Sequence, residues 1–323
     1  MPDRRLPWLL AGLLCWQSVL ADDFTATASV AARPVQADPY PRTAVAFAEG
    51  VRGYPAVVYA RPESFRPLTL DLYLPPTSAK PRPLVLFVHG GGWSGGHSRA
   101  LGALEDFPQV LAGLAAQGYV VASVEYRLSG EAGFPAQLED IRAAMGWLDG
   151  QAGHYGIDRT RVALWGASAG AHLASLAALE GPLPVLVLVG WFGAYDLPAL
   201  LADPDYPAIA AAAGRLLGCV PGQCPGPLLR QASPSAQVGQ RPPASLLIHG
   251  DSDRVVPHAQ SQAMAEALRR QGAPVQLELM AGVGHSLVGE APSLTRDSNR
   301  RALALTRDFL AHWLGEGATP GSD

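Results

Sequence analysis

The chain has 323 residues, 48% of them hydrophobic and 16% charged, which is ample material for a buried sheet and too little charge for a disordered polyelectrolyte. Lys and Arg number 24 against 28 Asp and Glu, a formal net charge of -4, and no cluster of like charge appears, which argues against a nucleic-acid surface. The length points to one large α/β domain or two small ones.

Arg4 and Arg5 precede an apolar run from Leu6 to Leu20, and Ala21 stands just before Asp22 and Asp23. A basic start, a short greasy segment and a small residue at the cut predict a signal peptide over residues 1–21 and an exported protein, periplasmic or extracellular. The run, about 15 residues, falls short of the roughly 20 that a stable membrane span needs. Three cysteines are an awkward number for an exported protein, but cleavage after Ala21 removes Cys15. The remaining Cys219 and Cys224 flank Val-Pro-Gly-Gln, and Pro221 and Gly222 can turn the backbone tightly enough to join the sulfurs. They are candidates for a small disulfide loop, the alternative being two reduced thiols in a surface loop. No third and fourth ligand lies nearby to make the pair a metal site.

Residues 22–54, rich in Ala, Pro and Asp, read as an extended lead-in. From 55 to 315 the chain alternates between two periods. Strands are predicted at 56–59, 68–74, 84–89, 119–125, 162–165, 185–189, 245–249 and 275–279, several of them unbroken apolar runs of the kind covered on both faces by helices. Helices are predicted at 101–117, 136–148, 169–179, 258–270 and 296–314. In the second of these, Leu138, Ile141, Met145 and Leu148 recur at spacings of three and four, so one face packs while Glu139, Asp140 and Arg142 meet water. This alternation predicts a mostly parallel, eight-stranded α/β sheet with helices on both faces. Residues 197–240, rich in Pro and Gly, interrupt it as a small cap-like insertion between the sixth and seventh strands, and 316–323 form a flexible tail.

The pattern Gly-x-Ser-x-Gly occurs twice, around Ser94 and around Ser168. A nucleophile elbow needs a buried strand running straight into a helix, with small residues beside the serine so that the backbone can make a strained turn and push Oγ outward. Arg161–Trp165 supplies the strand, Ala167 and Ala169 the small flanks, and Ala171–Leu176 the helix start. Ser168 meets each requirement. Ser94 is followed by Gly95, Gly96, His97 and Ser98, which begin no helix, and reads as loop polarity.

Earlier in the chain, the strand ending at Val88 runs into His89-Gly90-Gly91-Gly92-Trp93. Consecutive glycines free the backbone to aim N–H groups at a developing oxyanion, so Gly91 and Gly92, joined by Ala169 after the nucleophile, are the candidate oxyanion donors. His89 reads as a brace for this loop. A phosphate-binding loop does not fit, because no Gly-Lys-Ser/Thr follows.

Taken together, HGGGW, GASAG, Tyr126-Arg127-Leu128, HGDSDRVVP and GVGHS resemble the α/β-hydrolase superfamily. Within it they are most similar to the carboxylesterase and hormone-sensitive-lipase-like branch that includes bacterial feruloyl-esterase-like (BD-FAE) domains. The resemblance covers residues 55–315 and implies the α/β-hydrolase fold, ester hydrolysis without a cofactor, and a serine triad in the chain order Ser, acid, His. His285, between Gly284 and Ser286 just after the last predicted strand, is then the general base. The resemblance matches the HGxxD spacing onto Asp253 as the acid, with Asp251 as a turn or capping residue. Asp251 remains the alternative acid, and Asp196, after the preceding strand, is the third choice with a helix cap as its plain reading.

The implied activity is hydrolysis of short-chain or aromatic esters, of feruloyl or acetyl type, on small-molecule or polysaccharide-linked substrates. An amide-cleaving hydrolase on the same fold is the nearest alternative, and a catalytically silent binding module the more distant one. The insertion is modest and Pro-rich, unlike the long apolar lid of a lipase.

Overall fold

The computed structural model describes residues 43–315. The predicted signal peptide, most of the lead-in and the 316–323 tail lie outside them. Among the described residues there are nine strands: β1 (Val45–Ala46), β2 (Arg52–Ala60), β3 (Leu68–Leu74), β4 (Arg82–Val88), β5 (Val120–Val124), β6 (Ile157–Ala167), β7 (Val187–Trp191), β8 (Ala244–Gly250) and β9 (Val275–Met280). They form one sheet in the order β1-β2-β3-β5-β4-β6-β7-β8-β9. The pairings from β1 through β3 to β5 are antiparallel and those from β5 through β4 to β9 are parallel.

All eight predicted strands occur, and the ninth, β1, corrects the expected count. It lies in what the sequence reads as lead-in, and two residues carry no period to detect. The first half of β2 is hidden for a related reason. Pro55 interrupts the apolar pattern and Ala56 takes a positive φ of 53°, so the register with β3 shifts between Tyr54 and Val57. The N–H that this bulge turns out of the ladder is taken by the buried Asp71 carboxylate at 2.8 Å.

Pleating divides the core between the faces of the sheet. Leu84, Leu86 and Val88 of β4 point one way and Val85 and Phe87 the other; in β6, Val162 and Leu164 oppose Ala163 and Trp165. On the Phe87 side lie α1 (Phe107–Ala116) and, from the end of the chain, Ala302, Phe309, Leu310 and Leu314. On the Leu86 side lie α2 (Ala136–Gly150), followed by the single turn α3 (Ala152–Tyr155), and α4 (Ala169–Glu180). The first predicted helix starts later than its apolar period suggests, because Asp106 accepts the Gln109 N–H at 3.2 Å and Pro108 sits in the first turn. This is a strong N-terminal cap, and Leu101–Glu105 are left as turns.

Between β7 and β8 the insertion folds as α5 (Leu197–Ala202), α6 (Pro207–Leu217), α7 (Gly226–Gln231) and α8 (Pro234–Gln237). Asp196, the third choice for the acid, is the cap of α5 and accepts the Ala199 N–H at 3.1 Å. Cys219 and Cys224 are disulfide-bonded, with Cα atoms 5.2 Å apart, just beyond α6. The chain closes with α9 (Ala259–Arg270), packed on the Leu86 side through Met264 and Leu268, then β9 and α10 (Pro292–Leu314). Among the described residues no helix is long and apolar enough to cross a membrane.

Candidate active site

β6 runs without a loop into Ser168, and α4 begins at the next residue. Ser168 has φ 53° and ψ -121°, a conformation that L-residues rarely hold, and its N–H donates to the Trp191 carbonyl at 2.8 Å. Both flanking glycines are required by close approach. A Cβ on Gly166 would strike the Gly170 backbone, and one on Gly170 would strike the carbonyl oxygens of Val88 and His89. The helix therefore crosses β4 at backbone contact. Ser94, the second serine in a Gly-x-Ser-x-Gly pattern, is exposed in a turn closed by its own N–H on Gly91 at 3.1 Å.

Three side chains from distant parts of the chain meet at this elbow. His285 Nε2 is 3.1 Å from Ser168 Oγ, and His285 Nδ1 is 2.7 Å from Asp253 Oδ2. An ionised carboxylate can only accept, so Nδ1 carries the proton and Nε2 is left to accept from the serine hydroxyl. Ser168 is 7% exposed and Asp253 3%, so the contacts lie away from bulk water. Burial acts to raise the Asp253 carboxyl, but hydrogen bonds from His249 and His285, with the adjacent Val256 N–H, outweigh it and hold the group far below the usual carboxylate range. Asp251 is exposed instead, accepting from the Ser252 hydroxyl at 2.9 Å and the Gly282 N–H at 2.8 Å.

His285 is presented by a strained loop, with Ser286 at φ 60° and Leu287 at φ 56°. Buried Asn299 of α10 ties that loop down, its amide donating to Leu287 O at 3.1 Å and Thr295 O at 2.9 Å. Phe192, at the end of β7, sets its ring edge-on to the imidazole, with centroids 4.9 Å apart. Neither Asn299 nor Phe192 carries a sequence signal: one is an ordinary helix polar residue, the other one apolar residue among many.

The glycine loop turns tightly beside the serine. Gly91 has φ +114° with no room for a Cβ against Gly95, and neither Gly91 nor Gly92 gives its N–H to a backbone carbonyl. Ala169 is the first residue of α4, where no helical carbonyl can accept its N–H. The brace beneath is His89, buried and stacked on Tyr126 at 4.3 Å, with Nδ1 2.7 Å from the Gly90 carbonyl and the Tyr126 hydroxyl donating to His89 O at 3.0 Å. A second brace is Trp93, whose indole N–H donates to His172 Nδ1 at 3.2 Å. His172 Nε2 in turn lies 2.7 Å from Ala232 O in the insertion. The indole can only donate and the carbonyl only accept, which assigns His172 as the neutral Nε2–H tautomer.

Gly91, Gly92, Ser168 and His285 share a cavity of about 350 Å³, walled on its apolar side by Leu101, Phe192, Ile209 and Val255. Ile209 comes from α6, so the insertion contributes to the wall. Among the described residues no group of His, Cys, Asp and Glu could hold a metal ion. What the arrangement can do chemically is pass a proton from a hydroxyl to an imidazole that is oriented and charge-compensated by a buried carboxylate.

Curated relatives include esterase LipC of Mycobacterium tuberculosis, 33% identical over 203 residues that make up 59% of this chain and 49% of that protein. The chain spans about half the length of the curated relatives it matches first. Among solved structures, a truncated carbohydrate esterase from gut microbiota superposes with a TM-score of 0.65 at 24% identity, covering 84% of this chain and 98% of that one. A thermophilic esterase from Thermogutta terrifontis does so with a TM-score of 0.64 at 23% identity, covering 82% and 94%. Both have the fold described here. The BD-FAE family model matches residues 70–268, a span that holds the glycine loop, Ser168 and Asp253, and the chain belongs to this family of α/β-hydrolases.

Proposed function

We propose that the protein is a serine carboxylic-ester hydrolase that works through an acyl-enzyme. The observation that carries this reading is the continuous chain of hydrogen bonds from Ser168 Oγ through His285 to Asp253, opening on a cavity beside unpaired backbone N–H groups. Ser168 attacks the ester carbonyl as His285 takes its proton, and Asp253 stabilises the imidazolium. The N–H groups of Gly91, Gly92 and Ala169 receive the oxyanion, each donor contributing about 3 kcal/mol to the transition state. The imidazolium then protonates the leaving alcohol. Water, deprotonated by the same imidazole, hydrolyses the acyl-enzyme through a second tetrahedral intermediate.

The esterase names of the curated relatives support ester substrates. The small, apolar-walled cavity favours short acyl chains or an aromatic acyl group, and feruloyl- or acetyl-type esters on small molecules or polysaccharides fit both. We assign the protein to the periplasm or the extracellular space, on the signal-like amino terminus and the Cys219–Cys224 disulfide. Ser168→Ala is expected to lose nearly all hydrolysis of p-nitrophenyl acetate, and retained activity would sink the assignment. A panel of nitrophenyl esters of rising chain length, run beside methyl ferulate, acetylated xylan and the matching amides, reads the acyl preference and tests ester against amide.

A further inference from the structure

The two oxygens of Asp253 are held differently. Oδ1 accepts the N–H groups of Val255 at 2.8 Å and Val256 at 2.9 Å, within its own loop. Oδ2 meets His285 at 2.7 Å and also lies 3.2 Å from Nε2 of a second imidazole, His249. His249 is the penultimate residue of β8, wholly buried, and is not among the residues that line the catalytic cavity. Its Nε2 faces acceptors only, namely Asp253 Oδ2 and the Val256 carbonyl at 3.0 Å. Its Nδ1 faces the Ser261 hydroxyl of α9 at 2.7 Å, which can donate. A neutral imidazole with its proton on Nε2 satisfies all three contacts.

We infer that His249 is a positioning residue for the triad: its Nε2–H holds the Asp253 carboxylate turned so that Oδ2 meets His285. The inference rests on the triad reading above. With only the loop N–H groups on Oδ1, the carboxylate would be fixed at one oxygen and could swing its free end away from the imidazole. A donor at Oδ2 fixes the other. That donor stands on β8, a strand paired on both sides by β7 and β9, whereas Asp253 and His285 stand on loops, so the loop-borne pair takes its orientation from the rigid sheet. His249 transfers no proton in this role, because the groups facing its Nε2–H are both acceptors throughout.

Two variants test the role. His249→Phe keeps the ring volume and removes both nitrogens, while His249→Gln returns an amide N–H near the Nε2 position. The Phe variant is expected to lower kcat about ten- to a hundredfold, the effect of losing one hydrogen bond to a charged group, with KM within about twofold of the parent. The Gln variant is expected to recover most of kcat. Rates are taken per active site titrated with an organophosphonate, so that a loss of folded protein does not count. Equal losses in the two variants, or parental kcat per titrated site in the Phe variant, would overturn the inference. If the Phe variant does not fold, 15N NMR of the histidines in the parent decides: a protonated Nε2 on His249 is expected, and the opposite tautomer overturns it. Activity surviving Ser168→Ala would instead overturn the triad reading itself, which keeps the two failures apart.

Discussion

Mild acid should weaken this fold through one buried imidazole. His172 is fully buried in α4, and burial holds it at about 4 even though the Ala232 carbonyl pulls the other way. In the unfolded chain the same group protonates near 6.5. Because the folded value is depressed, the stabilisation is complete above about pH 6.5 and is lost as pH falls from there toward 4, where the unfolded state binds the proton and the native state does not. At about 1.36 kcal/mol per pH unit, the whole window is worth about 3 kcal/mol, with about 2 kcal/mol already gone between pH 7 and pH 5. The assay is urea unfolding at a series of pH values, for the parent and for His172→Gln. Glutamine can accept from Trp93 and donate to Ala232 but cannot titrate, so the difference between the two curves isolates His172 from the other histidines. An equal fall in stability for the two proteins between pH 7 and pH 5 would refute the reasoning.

Further outcomes follow from single contacts. Gly170→Ala drives a methyl group into the carbonyl oxygens of Val88 and His89, both backbone atoms that cannot turn aside. It should abolish soluble folded protein or cost at least 3 kcal/mol in chemical denaturation, at the upper end for overpacking. Reducing the Cys219–Cys224 bond, which closes a loop of sequence separation 5, should cost about 2 kcal/mol by loop entropy and lower Tm by a few degrees. Intact mass before and after reduction must differ by two hydrogens, and two reactive thiols without reductant would contradict the bond. Ile209→Ala opens the cavity wall on the insertion side. It should raise kcat/KM for hexanoyl and octanoyl esters several-fold relative to acetyl esters, at about 0.8 kcal/mol per methylene newly accommodated.

Contacts between neighbours in the chain were readable from the sequence. The elbow is one: strand, small residue, serine, small residue and helix lie within a few positions, so local sterics specify Ser168 and reject Ser94, whose neighbours start no helix. The alternation of apolar runs with helical periods likewise determined the layered sheet, because both periods are local properties. A two-residue strand has no period, so β1 appeared only when β2 supplied its partner. Asp251 and Asp253 could not be separated with certainty by spacing alone. The acid that faces His285 depends on which carboxylate is turned inward by Val255, Val256 and His249 and which is left in water. The cavity wall is another product of tertiary structure, since Leu101, Phe192, Ile209 and Val255 come from separate segments and are unremarkable apolar residues until the sheet order brings them together. Local backbone chemistry thus determined where the elbow serine stands, whereas its partners, braces and pocket were decided only by long-range packing, which leaves no period or spacing in a single chain.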